Sequence, residues 1–186
     1  MTRATLIVAG LALLTGGCAA TKVPLDPAVD KMSDMAFLAR LPNRPLVAVD
    51  EAARAVLIVA DGECDAQTAD ARQEAVIARG IVRPAWKLAP DDALDRGTLA
   101  YMIARVCVID GGINCRTFGE AGIGDRRYAL REMVYQKLMT DGPVYGLVTG
   151  GEMTAVLTKA DAYMEKRGLY EVDKPVELGD QPPAQR

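Results

Sequence analysis

The chain has 186 residues, half of them apolar and few aromatic, with no histidine and a formal net charge of −3. Lack of histidine removes the commonest general base and metal ligand. The slight acidity argues against nucleic acid as a partner and against a polybasic membrane patch. The length suits one domain with a single core built from Ala, Val, Leu, Ile and Met.

The N-terminus reads as an export segment. Arg3 supplies a positive start, Ala4 to Leu14 form an apolar run too short to span a bilayer, and small residues lead to Cys18. This pattern resembles a bacterial lipoprotein signal. The resemblance implies removal of residues 1–17 and acylation of Cys18, including a palmitate-type chain. Ala19 and Ala20 follow the cysteine. In Gram-negative lipoproteins the lack of Asp there implies an outer-membrane protein facing the periplasm. Thr15 stands where such signals usually carry Leu. An ordinary signal cut after Cys18-Ala19-Ala20, or an uncleaved anchor, are the alternatives.

Residues 18–45 carry Pro24, Pro27, Pro42 and Pro45 and read as a tether with one short helical patch from Val29 to Arg40. A helical domain is expected over 46–169, followed by a polar, proline-rich, disordered tail over 170–186.

Five helices are expected within the domain. The first takes Asp50 as N-cap and stops before Gly62. The second ends at Gly80 with Ile81 behind it, the glycine-then-apolar order of a Schellman stop. The third starts from an Asp95 cap and lines up Leu99, Met102, Ile103 and Val106. The fourth follows an Asp125 cap and gathers Leu130, Met133, Val134 and Leu138. The fifth places Met153, Val156, Leu157, Ala160 and Met164 on one stripe, and Thr149 with Glu152 fits a capping box. Strand signals are poor, so the fold class is all-α: a small bundle of packed hairpins.

The third and fifth helices begin alike. With Leu94 laid on Val148, Asp95 meets Thr149, Leu99 meets Met153, Met102 meets Val156 and Ile103 meets Leu157. Each is preceded by another helix and a loop, which points to two helix–loop–helix copies. The segment around 50–61 would be half of a third.

Gly80-Ile81, then Leu88-Ala89-Pro90, then Leu94-Asp95-Arg96-Gly97-Thr98 resemble the S-layer homology repeat. In that family Gly-Ile closes the first helix, an aromatic-x-Pro lies in the loop, and Thr-Arg-Ala-Glu opens the second helix. Leu88, Asp95 and Thr98 depart from the pattern. The second copy keeps Thr149 and Glu152 but has Gly150 in place of the arginine. The likeness spans about Glu74 to Lys159. It implies a non-catalytic protein that holds peptidoglycan or an associated wall polymer, with Arg96 at the ligand-contacting position.

Trp86, with Arg83 and Lys87 beside it, can stack on a sugar or instead plug the loop onto the bundle. Wall binding therefore predicts a basic–aromatic edge of Arg96, Trp86, Lys87 and Arg83. An assembly role through envelope-protein contacts, without glycan, is the alternative.

Other chemistry is poorly supported. Cys64 stands among Asp61, Glu63 and Asp65, which disfavours a thiolate. Asp91, Asp92 and Asp95 read as charges favourable to a helix start. Gly119 to Gly124 read as a connection between copies. No metal site or cofactor is expected, since three thiols without histidine do not resemble a zinc set. Cys107 and Cys115 flank an Asp-Gly-Gly turn that can bring them to bridging distance, though Cys64 can pair with either.

Overall fold

The computed structural model describes residues 20–109 and 124–170. The described chain is all-α, a small helical bundle. Its helices are α1 (Asp34–Arg40), α2 (Val49–Asp61), α3 (Ala69–Ala78), α4 (Arg96–Val106), α5 (Asp125–Tyr135) and α6 (Gly150–Arg167). Short 3-10 turns lie at Val29–Lys31, Leu41–Asn43 and Pro84–Trp86.

Helix α2 is central. Every residue from Val49 to Ile58 is buried, and it packs on α3, α4 and α6. Ala52, Ala53 and Ala55 let neighbours approach closely, while Asp50, Glu51 and Arg54 are buried with partners. The N-cap is Ala48, not Asp50. Alanine has no side-chain acceptor. One free backbone donor is satisfied instead by the Glu51 carboxylate, which accepts from the Ala48 N–H at 3.0 Å and also binds Arg44. Asp50 lies two residues past the cap and serves Arg72, which is 1 % exposed and donates to both Asp50 oxygens at 2.7 Å.

The expected caps of the other helices hold in part. Asp95 Oδ1 accepts from Thr98 N at 2.7 Å, and Thr149 Oγ1 from Glu152 N at 3.2 Å. Glu152 does the first half of a capping box only, since its carboxylate turns to Arg96. Gly124, in the left-handed region, caps α5, with Asp125 as the first helical residue. Gly80 ends α3 as expected: its φ is 66°, and Ile81 N–H reaches back to Val76 O. Helix α5 ends the same way on Lys137 (φ 62°), with Leu138 N–H on Met133 O. The stripe Met153, Val156, Leu157, Ala160 and Met164 is buried along α6.

A closed cycle of main-chain bonds joins the starts of α2, α4 and α6. Val47 N–H donates to Val148 O, Val148 N–H to Leu94 O, and Leu94 N–H to Val47 O, at 2.8 to 3.0 Å. These three residues directly precede the N-caps Ala48, Asp95 and Thr149 and are 0 % exposed. A second cycle surrounds the first: the leading amides of α2, α4 and α6 donate to Asp92 O, Gly146 O and Arg44 O respectively. Orphan donors at each helix start are thus satisfied by the loop of another unit. Three helix–loop–helix units, α1–α2, α3–α4 and α5–α6, meet at this ring, rather than two and a half.

The expected tether is accordingly corrected. Arg54 of α2 donates to Val29 O, Met32 O and Asp34, and its guanidinium lies 4.8 Å from the centre of the Phe37 ring. Val23, Val29, Phe37 and Leu41 are buried. Thr21 to Val23 pair with the loop of the second unit through Val23 N–H to Asp91 O and Ala93 N–H to Thr21 O. The prolines that suggested a free tether sit in this extended segment and in tight turns, where no amide is needed. The expected signal, Cys18, Cys115, Gly119 to Ile123 and the tail beyond Tyr170 lie outside the described residues.

Candidate functional site

The four residues expected to form one edge divide into two groups. Arg96 opens α4 but is 9 % exposed and turned inward. Its Nε lies 2.9 Å from Glu152 Oε1 of α6, and its terminal nitrogens donate to Asp141 O, Thr140 O and Thr140 Oγ1. A Cβ on Gly142 would lie 1.9 Å from Arg96 Nη1, so glycine at that position leaves the space that the guanidinium occupies under the 140–146 loop. Charge repulsion from the helix start is offset by this carboxylate and these carbonyls. Arg96 is thus turned inward and does not join the exposed edge expected for it. It ties the second unit to the third.

Trp86, Lys87 and Arg83 stay together. The Pro84–Trp86 turn sets Trp86 edge-on to Tyr101 of α4, with ring centres 4.8 Å apart. Arg126 of α5 lies 4.3 Å from the indole centre, and its Nη1 reaches Asp95 Oδ2 at 3.0 Å. Arg83 pairs with buried Asp125 and stands over Tyr101. Burial pushes the Asp125 carboxyl above its ordinary range, and Arg83 works against that rise. Lys87 is exposed and takes a left-handed conformation (φ 48°) at the end of the turn. Trp86 is half-buried, so it both plugs the loop and leaves part of the ring open to water.

Arg126 was missed because it reads as a charge near a glycine-rich connection. It is the second residue of α5, and only the packing of α5 on α4 brings it to Asp95 and the indole. Gly97 makes the approach possible: a Cβ there would lie 2.6 Å from Val144 Cγ1 and 2.8 Å from Arg126 Cβ.

The acidic groups are in structural use. Asp91 and Asp92 both meet Lys22, and Asp92 also accepts from Ala89 N. Ser33 Oγ caps α1. Burial raises the Cys64 thiol, and it pushes Cys107 up to about 11. Cys107 carries a free thiol in the core, and Cys115, its expected partner, lies outside the described residues. Among the described residues no group of three or more His, Cys, Asp or Glu is placed to hold a metal ion, and no helix is long and apolar enough to cross a membrane.

A second concave surface lies where α1, α2 and α6 meet. It is a groove of about 400 Å³ lined mainly by Leu38, Leu41, Ile58, Val59 and Leu157, with Tyr170 at its margin. Tyr170 Oη donates to Asp161, and burial together with this bond holds its hydroxyl above the ordinary value.

No protein-family model, curated protein or solved structure matches this chain.

Proposed function

We propose that the chain is a non-catalytic, lipid-anchored envelope protein whose S-layer-homology-like units hold an anionic wall polymer, peptidoglycan or a polymer attached to it. The Trp86 edge carries this reading. A partly open indole with Arg126 over its face and exposed Lys87 beside it suits a sugar ring bearing negative charge. Repetition is the second support, since capped helix–loop–helix units closed around a common ring fit the repeat the sequence resembles. Arg96 drops out of the ligand set in this reading, and Arg126 takes its place.

The non-catalytic half rests on the state of the candidate groups. Buried carboxylates Asp50, Glu51 and Asp125 face arginines, and both core thiols are shifted away from the thiolate. The test is co-sedimentation of the full-length protein with isolated sacculi. Trp86→Ala combined with Lys87→Ala should abolish sedimentation while the helical circular dichroism stays intact. Sedimentation unchanged by that pair retires wall binding.

The apolar groove between α1, α2 and α6 favours a second reading, an assembly subunit that docks an envelope protein there. Stoichiometric co-purification of one envelope protein, lost on Ile58→Asp and indifferent to Trp86, would select it.

A further inference from the structure

Thr21 to Val23 run antiparallel to Asp91–Ala93, with Lys22 bridged to Asp92. Lys22 also binds both Asp91 and Asp92. Only Ala19 and Ala20 lie between Cys18 and Thr21. Three residue steps of fully extended chain reach about 11 Å. A headgroup layer is roughly 6 Å deep on each side of the hydrocarbon. A lipid on Cys18 therefore holds the Thr21 edge within about 5 Å of the headgroup surface.

This edge continues into the ring. Ala93 is bridged to Ala48, and Asp95 to Leu147. The segments meeting there bring exposed apolar groups with them: Leu25, Leu147 and Tyr145, the last 74 % exposed. Lys22 pairs with both Asp91 and Asp92, so this stretch of the edge keeps a single net negative charge. From the ring, α6 runs 18 residues away, about 27 Å. One end of the bundle is thereby near the lipid and the other remote.

We infer that the ring face, carrying Thr21–Leu25 and Tyr145–Leu147, lies flat on the bilayer and seats Tyr145, Leu147 and Leu25 at the headgroup–acyl boundary. This inference rests on the acylation of Cys18 proposed above. Tyrosine suits such a boundary, with an apolar body and a polar tip. The far end of α6 then faces the aqueous compartment.

The experiment is hydroxyl-radical footprinting of the acylated full-length chain on phosphatidylethanolamine–phosphatidylglycerol vesicles. Its reference is the unacylated Cys18→Ala chain free in solution. Tyr163, about 20 Å along α6 from the ring, serves as the internal standard. The expected result is a several-fold fall in Tyr145 oxidation relative to Tyr163 on vesicles, with no change of sequence in the domain. An unchanged ratio, or protection confined to Tyr163, overturns the inference. Mass spectrometry of the Cys18 peptide separates the two levels. Acyl mass present with an unchanged ratio sinks the apposed face alone, and acyl mass absent sinks the anchor and the face together.

Discussion

Gly150 and Gly151 open α6 side by side, and the ring sets their substitutions against each other. A Cβ on Gly150 would lie 1.9 Å from Leu41 O and 3.0 Å from Arg44 N and Arg44 O. Those are backbone atoms of another unit and cannot swing away. Gly150→Ala must push the start of α6 back by about an ångström, which breaks the 2.9 Å bond from Gly150 N–H to Arg44 O. Losing that bond costs about 1 kcal/mol, and overpacking costs roughly 1–3 kcal/mol. Alanine returns at most about 1 kcal/mol of helix propensity. The net loss is therefore about 2 kcal/mol. Gly151→Ala meets nothing within 4 Å and should be neutral or stabilising by up to about 1 kcal/mol. Urea unfolding followed by circular dichroism measures both. Equal midpoints for the two variants, or a stabilised Gly150→Ala, would refute the close approach that closes the ring.

Arg72→Met leaves Asp50 buried and unpaired and should cost roughly 3–5 kcal/mol, part of which Asp50→Asn restores in the double variant. Arg96→Met should cost roughly 2–4 kcal/mol in urea unfolding yet leave sacculus binding per folded molecule intact; a well-folded variant that no longer sediments would return Arg96 to the ligand. Cys107 gives a pH signature. Its folded thiol is raised to about 11 against an ordinary 9.0, so its contribution is complete below 9.0 and is lost as pH rises through 11, because the unfolded chain ionises first. Cys107→Ala should flatten that alkaline loss of stability in urea midpoints taken across the same range.

The helices were legible where local chemistry marks them. Asp95 and Thr149 cap with their own side chains, and Gly80 stops α3 because a left-handed residue is needed there. The first unit was hidden for the opposite reason. Ala48 has no side-chain acceptor, so the leading amides of α2 donate to Asp92 O and Pro90 O in another unit while Glu51 takes the Ala48 N–H, and Asp50 two residues on imitated the missing signal. Prolines made residues 18–45 look loose, whereas the contacts that hold them come from Arg54, on another element.

The site was half legible for a related reason. Trp86 and Lys87 are neighbours in sequence and stay together, but the fate of Arg96 depends on Gly142 and Glu152, more than forty residues away. Nor does any local pattern mark Arg126 as the cation over the indole, since that contact crosses from the third unit to the second.

Native-state hydrogen exchange read by NMR at the amides of Val47, Leu94 and Val148 tests the three-unit ring most directly. Closed into one cycle, the three should exchange with a common opening free energy near that of global unfolding and should be weakened together by Gly150→Ala. One of them exchanging rapidly while the other two stay protected would contradict the ring.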